Sequence, residues 1–301
     1  MSDLIDQSFG ASRALLGEGN GRYPDANALL VEGPDANFLL DAPLGVVRRL
    51  REAPESIPAL DAVVVTHCHE DHIPALSELP ETRCLVHEED LPGLQSIDGF
   101  LDLFGYPEPR RSEWREFVTE TFLFEPRPDA ETFIDGTTWE LGGDVRIEAI
   151  HAPGHTRGHC VFLIEPDEVL FLVDIDLSGF GPYYGDAWSD LESFEATIDR
   201  VAQLEARHYL TGHHLGVVDH ETFVRRIGRY RQRIAQREER LLAFLSRPRT
   251  MAEIVDHRIV YRPHDEGEGI DFIERRSAEL HLERLQRDGA VGRDEERFVA
   301  L

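Results

Sequence analysis

The chain has 301 residues, of which 41% are hydrophobic, and this suits one large folded domain with a smaller unit attached. Its formal net charge is −27, and all 31 basic residues are arginines because the sequence contains no lysine. The acidic surplus lies in residues 1–220, which disfavours RNA as a partner without excluding a single phosphate or carboxylate. Surface adaptation to a salty cytoplasm is an equally open explanation of this charge.

The sequence carries no sign of export or membrane insertion. Its first residues have neither a basic start nor a long apolar run, and no later stretch approaches about 18 uninterrupted apolar residues. Three scattered cysteines, Cys68, Cys84 and Cys160, do not form a disulfide framework. We therefore expect a cytoplasmic protein without a membrane segment.

Short runs rich in Val, Ile and Leu, bounded by turn residues, predict β-strands through the first two thirds of the chain. The first two strands flank a Gly-Pro-Asp turn and predict a hairpin. The predicted strands cover residues 28–32, 38–41, 62–65, 84–87, 145–150, 160–164, 169–173 and 208–210. A helix is predicted after residue 189, because Ser189 and Glu192 have capping-box spacing and apolar residues then recur every three or four positions.

Residues 91–134 interrupt this strand pattern with aromatic residues set among prolines and charges. The segment predicts a helical insertion. Core packing is the first interpretation of its aromatic residues, but an insertion at this place could also form a wall of an active site.

Helical patterns dominate the end of the chain. A long helix is predicted from about residue 220 to a break at Pro248, and Thr250 with Glu253 forms a second capping-box signature. A helix over residues 278–287 and a terminal hairpin follow. We therefore predict a catalytic domain at residues 1–218 and a helical, winged-helix-like domain at residues 219–301.

The densest cluster of chemically active residues follows the apolar strand at 62–65. His67, His69, Asp71 and His72 lie within six positions, which is too much polarity beside a buried strand unless something neutralises and orients it. Imidazole nitrogens and carboxylate oxygens are ligands that zinc accepts. The motif therefore predicts a divalent metal site.

Three other apolar strands also end in residues that can bind metal. The strand at 145–150 leads to Pro153-Gly154-His155, the strand at 169–173 ends before Asp174, and the strand at 208–210 leads to Gly212-His213. We expect these side chains to converge with the first motif.

Together these motifs resemble the metallo-β-lactamase superfamily, over residues 25 to about 218. The resemblance rests on H-x-H-x-D-H at 67–72, P-G-H-T at 153–156, Asp174 and G-H at 212–213. It implies an α/β fold, a four-layer αββα sandwich with the metal site at one edge. The C-terminal pattern resembles the tail of a glyoxalase II-like or endoribonuclease-like branch.

The resemblance also implies roles for individual residues. Two Zn²⁺ ions are implied, with Fe or Mn as alternatives. His67, His69 and His155 would bind the first ion, Asp71, His72 and His213 the second, and Asp174 would bridge them. Asp41 resembles an aspartate that commonly supports the metal histidines. Val173 departs from the family, which usually has Gly before the bridging aspartate, and Asp176 is a less favoured alternative bridge.

Other polar residues lie close to the motifs in the sequence. His159 and His214 are expected to support the ligands or to face solvent rather than to bind metal. Candidates for contact with substrate are Arg157, Tyr183 and His214.

The implied activity is hydrolysis of a small ester, thioester or lactone by a metal-bridging hydroxide, with Asp71 as catalytic acid or base. A phosphodiesterase or endoribonuclease, a mononuclear iron persulfide dioxygenase and a non-catalytic metal-binding module are the alternatives. A small-molecule substrate is expected, and a homodimer is possible.

Overall fold

Two β-sheets form the centre of the larger part of the molecule, in a computed structural model that describes residues 5–267 and 269–301. The strands of the first sheet are β1 (Ile5–Phe9), β2 (Ser12–Leu16), β3 (Ala28–Glu32), β4 (Asn37–Leu40), β5 (Ala62–Val65), β6 (Arg83–His87) and β7 (Glu131–Phe133). They lie side by side in chain order. Pairing is antiparallel from β1 to β4 and parallel from β4 to β7.

The strands of the second sheet come from the middle of the chain. They are β8 (Thr138–Glu140), β9 (Arg146–His151), β10 (Cys160–Glu165), β11 (Val169–Val173), β12 (His208–Thr211) and β13 (Val217–Asp219). These strands also lie in chain order. Because β10 is antiparallel to both β9 and β11, and β12 is parallel to β11, the strands β9, β11 and β12 all run in one direction.

The chain also contains helices, most of which pack on the outer faces of the two sheets. They are α1 (Leu44–Glu52), α2 (Leu91–Gln95), α3 (Ile97–Phe104), α4 (Arg110–Thr121), α5 (Leu191–Val201), α6 (His220–Phe244), α7 (Met251–His257) and α8 (Ile270–Arg287). No helix of the described residues is long and apolar enough to cross a membrane.

The alternation of side chains along the strands builds three apolar layers. In β5, Ala62 and Val64 face the second sheet, whereas Val63 and Val65 pack beneath α1 to α4. In β11, Phe171 faces the first sheet and Leu172 packs beneath α5 and α6. Helix, sheet, sheet and helix are therefore stacked in that order, which confirms the predicted αββα sandwich.

A smaller core lies at the end of the chain. Residues of α6, α7, α8 and of a three-stranded sheet form it, and the strands are β14 (Arg249–Thr250), β15 (Val291–Asp294) and β16 (Arg297–Ala300), with β16 in the middle. Phe223 and Ile227 near the start of α6 pack on the second large sheet, whereas Leu241 near its end belongs to this smaller core. A single helix thus links both parts.

The structure corrects two details of the expected helices. Asp190, not Ser189, caps α5, because its side chain accepts the Ser193 amide at 2.7 Å. The last helix begins at Ile270, eight residues before the expected start, because Ile270 and Ile273 extend its buried face. The capping box at Thr250 is present as predicted.

Candidate metal centre

The carboxyl ends of β5, β9, β11 and β12 meet at one edge of the sandwich and bring together all seven residues predicted to bind metal. They form two groups, His67, His69, His155 and Asp174 in one and Asp71, His72 and His213 in the other. Within each group the candidate ligand atoms lie within 4.8 Å of one another. The sharp turn before His155 depends on Gly154, because its φ is +122° and a Cβ there would meet the Phe194 backbone at 2.3 Å.

Asp174 lies between the two groups. Its Oδ2 is 3.2 Å from Nε2 of His155 in the first group, and its Oδ1 is 3.1 Å from Nε2 of His72 in the second. Nε2 of His213 is 3.5 Å from the same Oδ1. One carboxylate therefore presents an oxygen to each side, which is the arrangement that a bridging ligand requires.

Each group also places its imidazole nitrogens close together. Nε2 of His67 is 3.1 Å from Nδ1 of His69, and Nε2 of His72 is 3.2 Å from Nε2 of His213. His69 thus turns Nδ1 towards the first group, whereas His67 turns Nε2 towards it. Oδ2 of Asp71 lies 3.5 Å from Nε2 of His213.

The donors fit a divalent cation because they are buried and because some of their polar atoms lack a hydrogen bond within the described part of the chain. Although buried, Nε2 of His155 and Oδ1 of Asp174 form no hydrogen bond with any described residue. Unsatisfied buried polar atoms are costly, and a cation at this point would satisfy both. Nitrogen and oxygen donors of this kind suit zinc, and iron or manganese as well.

The close packing of imidazoles and carboxylates shifts their pKa values. Burial opposes charge on His72 and His213, but Asp41 and Asp71 raise the pKa of His72 well above its usual range, and Asp174 raises the pKa of His213 to about 9. Burial alone would raise the pKa of Asp174, yet His213 and His155 lower it well below its usual range. The site therefore holds Asp174 as a carboxylate.

The second ring nitrogen of three histidines is fixed by an oxygen atom. His72 Nδ1 donates to Asp41 at 2.7 Å, His155 Nδ1 to the Tyr183 carbonyl at 2.9 Å, and His213 Nδ1 to the Gly21 carbonyl at 2.7 Å. These bonds set which nitrogen faces the centre.

Asp41 is placed as predicted, in contact with a metal-type histidine. It is completely buried, and besides His72 it accepts the amide of Thr66 and the Thr66 hydroxyl, each at 2.9 Å. Its φ of +65° turns the carboxylate back from the end of β4 towards the loop after β5. Burial raises the pKa of Asp41, and His72 opposes that shift.

His159 lies behind Asp174. Its Nδ1 donates to the Ala152 carbonyl at 2.9 Å, and its Nε2 accepts the Asp174 amide at 3.3 Å. Burial, followed by repulsion from His155, lowers its pKa to about 3. Both ring nitrogens are occupied by the backbone, so His159 is placed to support Asp174 rather than to bind an ion.

Two aspartates that the sequence analysis did not select also hold the site. Asp90 accepts the Cys68 amide at 3.0 Å and the Thr156 hydroxyl and Gly158 amide at 2.7 Å, and so joins the two histidine loops. Oδ2 of Asp186 lies 3.0 Å from Nε2 of His69. Asp90 follows a strand as the predicted ligands do, which was a usable signal, whereas nothing in the local sequence marks Asp186.

A cavity of about 840 Å³ opens above the two groups. Of the candidates for substrate contact, Tyr183 and His214 line it. Arg157 is not among the lining residues, and its guanidinium lies 4.8 Å from the centre of the Trp188 ring. Phe104, Trp114 and Phe117 of the insertion also face the cavity, so this segment contributes to the wall as well as to the core.

Known proteins share parts of this sequence. An uncharacterised protein of Mycobacterium leprae is 32% identical over 139 residues, which are 45% of this chain and 56% of that protein. An acyl-coenzyme A thioesterase of Gallus gallus is 27% identical over 172 residues, which are 51% of this chain and 58% of that protein. The chain thus spans little more than half the length of these two relatives.

The family and the fold are shared more widely. A metallo-β-lactamase family protein from Thermus thermophilus has 26% identity and a TM-score of 0.69, over 92% of this chain and 94% of its own. The family model of the metallo-β-lactamase superfamily matches residues 23–213. The match includes both groups of ligand-type residues. The chain therefore belongs to the metallo-β-lactamase superfamily.

Proposed function

We propose that the protein binds two divalent cations, zinc by preference, and hydrolyses a small ester, thioester or lactone. The observation that carries the proposal is the position of Asp174 between two separate groups of buried donors on the floor of one cavity. His67, His69 and His155 would hold the first ion and Asp71, His72 and His213 the second. Two such ions would lower the pKa of a bound water to about 7 and would polarise the carbonyl group that is attacked.

The chain itself supplies proton transfer and orientation. Asp71 lines the cavity, and its carboxylate can take the proton of the attacking water and return it to the leaving oxygen or sulfur. Asp41 and the backbone carbonyls keep the histidine rings turned towards the centre. The thioesterase name of the relative from Gallus gallus supports an acyl substrate over a phosphodiester.

A hydrolysis screen with metal analysis tests this function. We expect two zinc ions per chain and turnover of at least one ester, thioester or lactone. His67→Ala should lose both the bound zinc and the activity. The exposed His264 is a matched control, so His264→Ala should behave as the original protein. One iron per chain, or turnover of phosphodiesters alone, would instead favour the dioxygenase or the phosphodiesterase and contradict the proposal.

A further inference from the structure

Aromatic side chains from four parts of the chain wall the cavity above the metal centre. They are Tyr23, Phe104, Tyr106, Trp114, Phe117, Phe180, Tyr183 and Tyr261. Tyr23, Phe117 and Phe180 remain 48%, 39% and 37% exposed, although large apolar residues are usually more deeply buried. Their exposure at a cavity points to an apolar ligand that covers them.

The C-terminal part supplies one side of this wall. Tyr261 lies edge-on to Phe180 with 5.3 Å between the ring centres, and Ile273 lines the cavity nearby. Ile273 packs so closely on Gly185 that a Cβ at residue 185 would lie 2.4 Å from its Cγ2. The part that lies outside the matched family region therefore reaches the substrate cavity.

Glu274 fixes the segment that carries Tyr261. Its carboxylate is 1% exposed and accepts the amides of Ile259 at 2.8 Å, Val260 at 3.0 Å and Tyr261 at 2.6 Å. Charge-assisted bonds of this kind are stronger than neutral ones. The position of Tyr261 thus depends on a carboxylate of α8.

Phe180, the partner of Tyr261 in this wall, is fixed in a similar way. Arg237 is 1% exposed and donates to the carbonyls of Phe180, at 2.9 Å, and Pro182, and its guanidinium lies 5.3 Å from the Phe180 ring centre. Both members of the Phe180–Tyr261 pair are therefore held by buried charged groups. Because both rings are held before a ligand arrives, little ordering of the wall is needed when an aromatic ligand packs against them.

We propose, on the basis of the hydrolase function above, that the acyl group of the substrate is a large planar aromatic ring system, and that Tyr261 selects it. Glu274 is a positioning residue that acts through Tyr261. Ring pairs in offset or edge-on contact are stabilised beyond the effect of their buried area, which an aliphatic chain does not gain. A cavity of about 840 Å³ has room for two or three fused rings.

Thioesters with one small, uncharged thiol and a varied acyl group test the substrate class. We compare acetyl, hexanoyl, benzoyl and 2-naphthoyl groups with the zinc-loaded protein. The ratio kcat/KM for 2-naphthoyl should exceed that for hexanoyl at least about tenfold, as several ring contacts would give. Equal or better turnover of hexanoyl would overturn the inference and leave the hydrolase function standing.

Variants of Tyr261 and Glu274 test the assigned residues. Tyr261→Ala should raise KM for 2-naphthoyl about tenfold and change KM for acetyl much less, so that the preference between the two is lost, whereas Tyr261→Phe keeps the ring and the selectivity. Glu274→Gln should raise KM for 2-naphthoyl more than KM for acetyl, in the same direction as Tyr261→Ala, and its Tm shows whether it remains folded. An equal loss of activity on all four substrates would show a merely structural role for either residue.

A binding measurement separates this inference from the function itself. By calorimetry on the zinc-loaded protein, 2-naphthoate should bind at least about tenfold more tightly than hexanoate, and Tyr261→Ala should remove the difference. If binding follows this pattern while no thioester, ester or lactone is hydrolysed, the hydrolase proposal fails and the ring-binding cavity stands. If the two carboxylates bind equally, the assignment of the cavity is wrong.

Discussion

Asp71 has two proposed roles, to hold an ion and to carry a proton. It lines the cavity, and its Oδ2 is 3.5 Å from Nε2 of His213. We expect Asp71→Asn to lower kcat about 100-fold or more, as loss of general acid–base catalysis does, with a smaller effect on metal content. Activity assays and metal analysis on one preparation measure both. The exposed Asp294 gives the control Asp294→Asn, and intact turnover in Asp71→Asn would refute the role.

Asp41 supports the centre without facing the cavity. Asn tolerates the left-handed backbone at this position, but its amide group cannot accept from Thr66 and His72 together as the carboxylate does. We expect Asp41→Asn to weaken zinc binding about 10–100-fold and to lower the free energy of unfolding by about 1–3 kcal/mol. Chelator competition and urea unfolding are the measurements. Unchanged zinc affinity would show that Asp41 does not orient His72.

Protons and metal ions should compete at His213. In the metal-free protein Asp174 raises the pKa of His213 to about 9, above its ordinary value of 6.5. This pairing stabilises the metal-free fold fully below pH 6.5 and is lost as the pH rises through 9. Zinc requires the neutral ring, so its affinity should increase between pH 7 and 9, with proton release. Calorimetry in buffers of different ionisation enthalpy measures that release, and a buffer-independent heat would contradict it.

The end of β11 combines a buried apolar side chain with an unfavourable backbone conformation. Val173 is completely buried at a φ of +53°, where a β-branched residue is strained. The pairing of β11 with β12 shifts register between Phe171 and Val173, and this turns Asp174 towards the other ligands. The strained backbone at Val173 therefore accompanies the conformation that places the Asp174 carboxylate between the two groups.

Two substitutions at Val173 separate burial from strain. Both remove the buried side chain, but a protein with Gly inside a strand is normally about 0.5–1 kcal/mol less stable than the same protein with Ala. At a positive φ the order should reverse, so Val173→Gly should be at least as stable as Val173→Ala. Urea unfolding of the two variants gives the comparison. A Gly variant that is clearly the less stable would show that the backbone there is not strained.

The elements were predictable to different degrees. The strands β3, β5 and β11 match the expected ranges because their apolar side chains are buried on both faces. β1 was not anticipated, because this short edge strand has three consecutive polar residues, Asp6 to Ser8, and so shows neither an apolar run nor the alternation typical of a strand. The seven ligand-type residues could be found because each follows a strand, whereas Asp186 joins His69 only through folding. No local motif indicates that residues 261 and 273 reach the cavity.

The boundary predicted at residue 218 separates segments that share a core. α6 contributes Phe223, Ile227, Tyr230 and Ile234 to the layer beneath the second large sheet. Tyr230 also donates to the Asp174 carbonyl at 2.8 Å. The division into domains 1–218 and 219–301 stays a prediction, and the shared helix gives it a direct test.

Removal of residues 220–301 should expose that apolar layer. Burial of each large side chain contributes about 1.5–3 kcal/mol, so losing four of them costs about 6–12 kcal/mol, which is comparable with a total stability of about 5–15 kcal/mol. We expect the shortened protein to bind a hydrophobic dye, to unfold without cooperativity and to retain little zinc. Cooperative unfolding with full zinc content would show that residues 1–219 form an independent unit.

The contact between Phe104 and His69 links the insertion to the metal centre. Their rings are stacked with 5.6 Å between centres, and Phe104 also faces the cavity. A change at this position that reshapes the cavity for another substrate would also disturb a ring expected to bind metal. During divergence of the family, a substitution at residue 104 would thus change substrate range and metal binding together. New specificities would arise more easily through substitutions at Phe117 or Tyr261, which also line the cavity.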